Sequence, residues 1–223
     1  NANWCWKRSC DGYGPVVKLL LERWKQHLNE QRLPQIYCDM DGVLVDFESG
    51  VVEQLNKDIH DISAARQDTE KFRAAMNNFG RDYITIDDIR GKTETSKIII
   101  KYMYSRMGND ADIWAHLPWM PGGKELWDFI SPYKPSILTT PMQKGSEIGK
   151  AFWINENLHP EPINVFMSGE KYTRAISEDG APAILIDDWS KNIIPWNEAG
   201  GIAIQHKNGN TAATIATLKK LGF

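Results

Sequence analysis

Three cysteines, Cys5, Cys10 and Cys38, are too few and too odd in number to frame a chain of 223 residues with disulfides. A reducing compartment, the cytoplasm, is therefore expected. Cys5 and Cys10 have no second cysteine pair or neighbouring histidine to complete a four-ligand zinc set. The five histidines (His27, His60, His116, His159 and His206) show no metal-like spacing. Long apolar runs are also lacking. The longest, 98–100 and 183–186, fall far short of the roughly 20 residues that span a bilayer, so no membrane partner is expected. Neither sign of charge dominates. The formal net charge of -3 argues against a surface that coats nucleic acid, while leaving room for a local cationic pocket. There is no internal repeat and no low-complexity tract. The chain opens on Asn1 without a methionine, and no signal peptide is visible.

What is present is ordinary globular material, 42% hydrophobic and 25% charged, enough for one domain with a sizeable insertion. Residues 1–33 read as an amino-terminal extension. Within it Val16–Leu28 has helical periodicity, and the Trp4-Cys5-Trp6 cluster is a packing element. Gln35–Cys38 is a short apolar run that ends in Asp39-Met40-Asp41-Gly42, a buried strand entering a loop. Val51–Ile59 restarts a helical pattern. The stretch from about residue 61 to 116 is rich in charge and helix formers and poor in strand signal, which predicts helices interrupted at Gly80, Gly91 and Gly108. Beyond Pro118 and Pro121, apolar runs at 136–139, 163–167, 183–186 and 202–205 alternate with helical segments at 124–130, 147–158 and 211–221. That alternation is the mark of a parallel sheet covered on both faces. The expected architecture is a three-layer α/β core (34–48 and 118–223) carrying a helical insertion at 49–117.

Three strand ends carry polar residues: Asp39 and Asp41, Thr139 and Thr140, Asp187 and Asp188. Ligands of open α/β sheets bind outside the carboxyl ends of the strands. Four carboxylates converging there repel one another unless a cation lies among them. Oxygen ligands of this kind suit Mg2+ together with a substrate phosphate. Asp39 and Asp41, two residues apart, would point the same way in an extended segment. One can then act as nucleophile and the other as acid and base, by way of an aspartyl-phosphate. Gly42 permits a tight turn, Thr139 can donate to a phosphoryl oxygen, and Lys171 can offset phosphoryl charge.

The run Cys38-Asp39-Met40-Asp41-Gly42-Val43-Leu44 resembles the first motif of the haloacid dehalogenase superfamily. Ile137-Leu138-Thr139-Thr140 resembles its second, Lys171 its third and Leu185-Ile186-Asp187-Asp188 its fourth, in family order. The resemblance implies that Asp39 is the nucleophile and Asp41 the general acid and base. Magnesium would bind Asp39, the Asp41 backbone carbonyl and Asp188, with Asp187 in support, and the helical insertion would be a cap.

Within the superfamily the likeness is to 5′(3′)-deoxyribonucleotidases, through Asp39–Phe47, Leu117–Gly122 and Thr139–Lys144. That likeness implies phosphate contacts from Thr139, Thr140, Lys144 and Lys171, and an aromatic contact from Phe47. The aromatic pair that stacks on the base in that family has no clear counterpart, and Phe79, Tyr83 and Trp114 are the substitutes. The expected activity is hydrolysis of a nucleoside monophosphate. The alternatives are another small ester such as a sugar phosphate, or a non-catalytic phosphate-binding protein. A second copy of the chain is an admissible partner.

Overall fold

The computed structural model describes residues 19, 33–61, 67–207 and 210–223. The chain divides into two compact units, Asn1–Pro34 with Gly222 and Gln35–Leu221 with Phe223. Apart from Leu19, the helical reading of Val16–Leu28 lies outside the described residues, as do Cys5, Cys10 and the Trp4-Cys5-Trp6 cluster.

In the larger unit the short apolar runs become five strands: β1 (Ile36–Cys38), β2 (Ser136–Thr139), β3 (Val165–Met167), β4 (Ile184–Asp187) and β5 (Ile202–Gln205). They form one sheet in the order β3-β2-β1-β4-β5, and each neighbouring pair is parallel. The expected three-layer α/β core is what is observed. Its reason lies in the alternation of side chains along each strand. Ile36, Cys38, Ile137, Ile184, Ile186 and Ile204 face one buried cluster with Trp127, Trp153, Ile154 and Leu218. Tyr37, Leu138, Leu185 and Ala203 face a second cluster closed by Trp196. Both faces are apolar, so both must be covered, and helices cover them.

Between β1 and β2 the described chain is helical: α1 (Phe47–His60), α2 (Gln67–Phe79), α3 (Ile86–Arg90), α4 (Glu94–Gly108), α5 (Ala111–Ala115) and then α6 (Gly123–Ile130). The first helix begins at Phe47 because Asp46 caps it, accepting from the Ser49 N–H at 3.0 Å. After β2 come α7 (Lys144–Asn157), α8 (Ser190–Glu198) between β4 and β5, and α9 (Thr211–Lys220). The sequence reading had no helix at α8. Pro195 lies inside it, and a proline in a helix interior removes a hydrogen bond and masks the helical signal. Packing decides there, since Trp196 is fully buried and donates to the Ala183 carbonyl at 3.1 Å. Among the described residues no helix is long and apolar enough to cross a membrane.

Candidate active site

Strand order fixes where the polar strand ends meet. The central strand, β1, pairs Cys38 with Ile137 of β2 and Ile186 of β4. The chain moves outward through β2 and β3, then returns to the other side of β1 as β4. That reversal is the place in such sheets where a crevice opens beyond the carboxyl ends. The register sets Asp39 level with Asp187, and the Asp39 N–H donates to the Ile186 carbonyl at 2.9 Å.

Past Cys38 the chain turns sharply. The N–H groups of Val43, Leu44 and Val45 all donate to the Met40 carbonyl, at 3.1, 2.8 and 2.9 Å. Gly42 sits in this turn at φ 71°, and a side chain there would fall on the Asp188 carboxylate. Only glycine satisfies both conditions.

Asp39 and Asp41 end in different surroundings. Asp39, 6% exposed, accepts on Oδ1 from the Met40 N–H at 2.8 Å and lies 2.9 Å from Lys171 Nζ; none of these contacts reaches Oδ2. Lys171 opens a 3-10 turn after β3 and also donates to Asp187 Oδ2 at 2.7 Å. Asp41 instead accepts on Oδ2 from Lys150 Nζ at 2.6 Å, while its buried Oδ1 has no partner. Burial raises the Asp41 carboxyl above its ordinary range, and the Lys150 charge pulls against that rise. The expected parallel orientation of the two carboxylates gives way here, because the strand ends at Cys38 and its two-residue alternation stops with it.

Lys150 is the residue that sequence reasoning missed. It sits in α7 and donates to Asp41, to Thr139 Oγ1 at 2.8 Å and to the Thr140 carbonyl at 3.1 Å. A signal was present. Gly145, Ser146, Gly149, Lys150, Trp153 and Ile154 form one buried helical stripe, and a lysine in the middle of such a stripe is out of place unless it has partners. Lys144, expected beside the phosphate, is exposed in the first turn of the same helix and pairs with Glu147 at 3.0 Å. Thr140 spends its hydroxyl on the Ser168 carbonyl at 3.0 Å.

Asp39, Asp187 and Asp188 each offer an oxygen within 4.8 Å of the others, a set of hard donors suited to a divalent cation. The oxygens of Asp187 are already taken. Trp189 N–H and Asn192 bond Oδ1 at 2.9 and 3.1 Å, while Asn192 and Lys171 bond Oδ2 at 2.9 and 2.7 Å. Four bonds fill a carboxylate's lone pairs, so the open oxygens of the cluster belong to Asp39 and Asp188. Burial first, then the Asp39 charge, pushes Asp187 up to about 7. Asp188 is the exposed member, and the protein packed around it, followed by Asp39, raises it to about 6. Burial and neighbouring charge disfavour the ionised form of these carboxyls, and a cation among them would restore it. The residues present therefore fit a divalent metal. The carboxylate of Asp41 is not part of the cluster.

The expected substrate contact from Trp114 does not hold. Trp114 is 2% exposed; its ring stacks on Phe47 at 5.1 Å, Lys150 lies 5.1 Å from the same ring, and its indole N–H donates to the Met107 carbonyl at 2.7 Å. No face is left for a base. Gly149 makes this possible, since a side chain there would strike Ala111 and Trp114. Phe47 is half-buried, and Tyr83 is exposed under Arg81. The side chain of Phe79 lies outside the described residues.

No family model and no curated protein matches the chain. Solved structures do. A haloacid dehalogenase-like family hydrolase from Xanthomonas campestris is similar at 15% identity and TM-score 0.48, over 85% of this chain and 92% of that one. A hydrolase of the same kind from Bacillus subtilis, bound to magnesium, is similar at 14% identity and TM-score 0.45, over 78% and 87%. An L-2-haloacid dehalogenase from Xanthobacter autotrophicus with chloropropionic acid covalently bound is similar at 12% identity and TM-score 0.45, over 78% and 77%. With likenesses this distant, function has to be read from the residues of the site.

Proposed function

We propose that this chain is a magnesium-dependent phosphomonoesterase working through an aspartyl-phosphate on Asp39, with a nucleoside monophosphate, above all a deoxyribonucleotide, as its substrate. The observation that carries the chemistry is the separate custody of the two acids. Asp39 is held by Lys171 and Asp41 by Lys150, although the acids are two residues apart. Acids placed in unlike environments take unlike proton roles.

Asp39 Oδ2 attacks phosphorus, and an O–P bond forms as the bond from phosphorus to the ester oxygen breaks. Asp41 passes a proton from Oδ1 to that leaving oxygen. Water then returns a proton to Asp41 and adds its oxygen to the same phosphorus, Asp39 departs as a carboxylate, and phosphate is released. Lys171 has used two of its three N–H donors and keeps one for a phosphoryl oxygen. Magnesium would be held by Asp39 and Asp188, with Asp187 behind them, and would supply charge neutralisation at the phosphoryl group. The helices of the insertion at 49–117 would act as a cap that closes over the substrate.

The nucleotide reading rests on the likeness of Asp39–Phe47 and Thr139–Lys144 to deoxyribonucleotidases, with Phe47 as the aromatic that ends the first of those segments. A sugar phosphate is the second reading, favoured by the burial of Trp114, which removes a stacking partner. A non-catalytic phosphate binder would have no use for a buried lysine on Asp41. The test is magnesium-dependent phosphate release from deoxy- and ribonucleoside monophosphates and sugar phosphates, with Asp39→Asn as control. Release from deoxynucleotides that vanishes in the control is the expected result. Release from sugar phosphates alone overturns the substrate, and release from none overturns the enzyme.

A further inference from the structure

Resting on the phosphatase reading, we infer that Lys150 is the positioning residue of the proton-transfer step: it aims Asp41 and the Thr139 hydroxyl and does not itself touch substrate. An ammonium group has three N–H donors. Those of Lys150 have three acceptors, Asp41 Oδ2, Thr139 Oγ1 and the Thr140 carbonyl, at 2.6, 2.8 and 3.1 Å. The side chain is 1% exposed, and the Trp114 ring lies 5.1 Å from Nζ. No donor remains for a phosphoryl oxygen. Lys171, with two acceptors, is the lysine that keeps one.

Two consequences follow for the neighbours. With Oδ2 of Asp41 pinned, its unpartnered Oδ1 is the oxygen that exchanges a proton with the leaving group and then with water. Thr139 accepts from Lys150, so its own O–H must point elsewhere, which leaves it free to donate to the phosphoryl group. Trp114 thereby gains a part in the reaction without meeting the substrate. Stacked on Phe47 and seated against Gly149, it backs the lysine that aims the acid.

The experiment compares Lys150→Met, close in volume and uncharged, with wild type on two esters in the presence of magnesium. One is a simple alkyl phosphate, whose leaving oxygen needs a proton. The other is p-nitrophenyl phosphate, whose phenolate does not. On the alkyl ester kcat/KM, which covers only the steps up to departure of the leaving group, should fall at least about tenfold, a part of the roughly 100- to 10,000-fold that a placed proton donor contributes. On p-nitrophenyl phosphate the fall should be clearly smaller. In an Asp41→Asn background the same change should cost nothing further, because coupled groups are not additive.

Should the methionine variant fail to fold by thermal melt, Lys150→Gln removes the charge while keeping a donor and is read in the same way. A rise in KM on both esters makes Lys150 a phosphate ligand and overturns the inference. An equal loss of kcat/KM on both esters, or a full extra loss in the Asp41→Asn background, overturns it as well. An inactive wild type overturns the phosphatase reading and the inference with it.

Discussion

Among the described residues, two networks of buried charge differ in what they leave undone. Between the helices that follow β1, Asp58 of α1 accepts from Gln54 at 2.8 Å, Tyr102 at 2.9 Å and Arg106 at 3.1 Å. Arg106 reaches on to Asp110, which caps α5. Both oxygens of Asp58 are in use, and the network ties α1, α4 and α5 together. At the carboxyl edge of the sheet, Asp41 Oδ1 is buried with no partner. There, four carboxylates face two ammonium groups. Buried polar groups are normally satisfied, so one that is not needs an explanation. In the first network charge serves architecture; in the second its incompleteness is what a substrate and a divalent cation would use.

The difference can be broken at either end. The largest effect is expected from Asp39→Asn, which should lower phosphate release by at least about a thousandfold, the scale on which losing a nucleophile acts. The fold should be intact by circular dichroism, since the change relieves crowding among the acids. Asp58→Ala should do the reverse. Removing one partner of a buried ion pair costs about 3 kcal/mol, to be read from urea unfolding, while kcat of the folded protein should stay near wild type.

Magnesium should sharpen the contrast through pH. Asp187 and Asp188 titrate at about 7 and about 6 in the fold, above the unfolded carboxylate value near 4. Between those limits the native state binds more protons than the unfolded state, so these acids make the metal-free protein less stable as pH rises from about 4 to about 7. Magnesium competes with the same protons. Its gain in Tm should therefore be greater at about pH 7.5 than at about pH 5, and Asp188→Asn should erase it.

The smallest effect belongs to Lys144→Ala. The Lys144–Glu147 pair is exposed, and such pairs are worth about 0–1 kcal/mol, so both Tm and KM should barely move. A large rise in KM would return Lys144 to the phosphate site.

Much of this was legible in the chain. All five strands stand where short apolar runs are bounded by turn signals, because strands of a parallel sheet covered by helices are built largely from apolar side chains. Asp39, Asp41, Asp187 and Asp188 stood out because acids interrupt those runs. Three things were not legible. α8 is hidden by Pro195, whose local cost is overruled by burial of Trp196. Trp114 looked available for a base because nothing in its neighbourhood announces that Phe47 and Lys150 occupy its faces. Lys150 lay in a helical stripe, and its partners Asp41 and Thr139 are 109 and 11 residues away.

The sequence by itself determined the strands, most of the helices and the acids at the strand ends, since each depends on near neighbours. The tertiary structure alone decided which lysine pairs with which acid, which oxygen of Asp41 is left without a partner and which aromatic is buried. Those are relations between distant segments, created when β1 is enclosed by β2 and β4 and α7 is laid across them. No local propensity encodes them, because the free energy that selects them is released only when the segments meet.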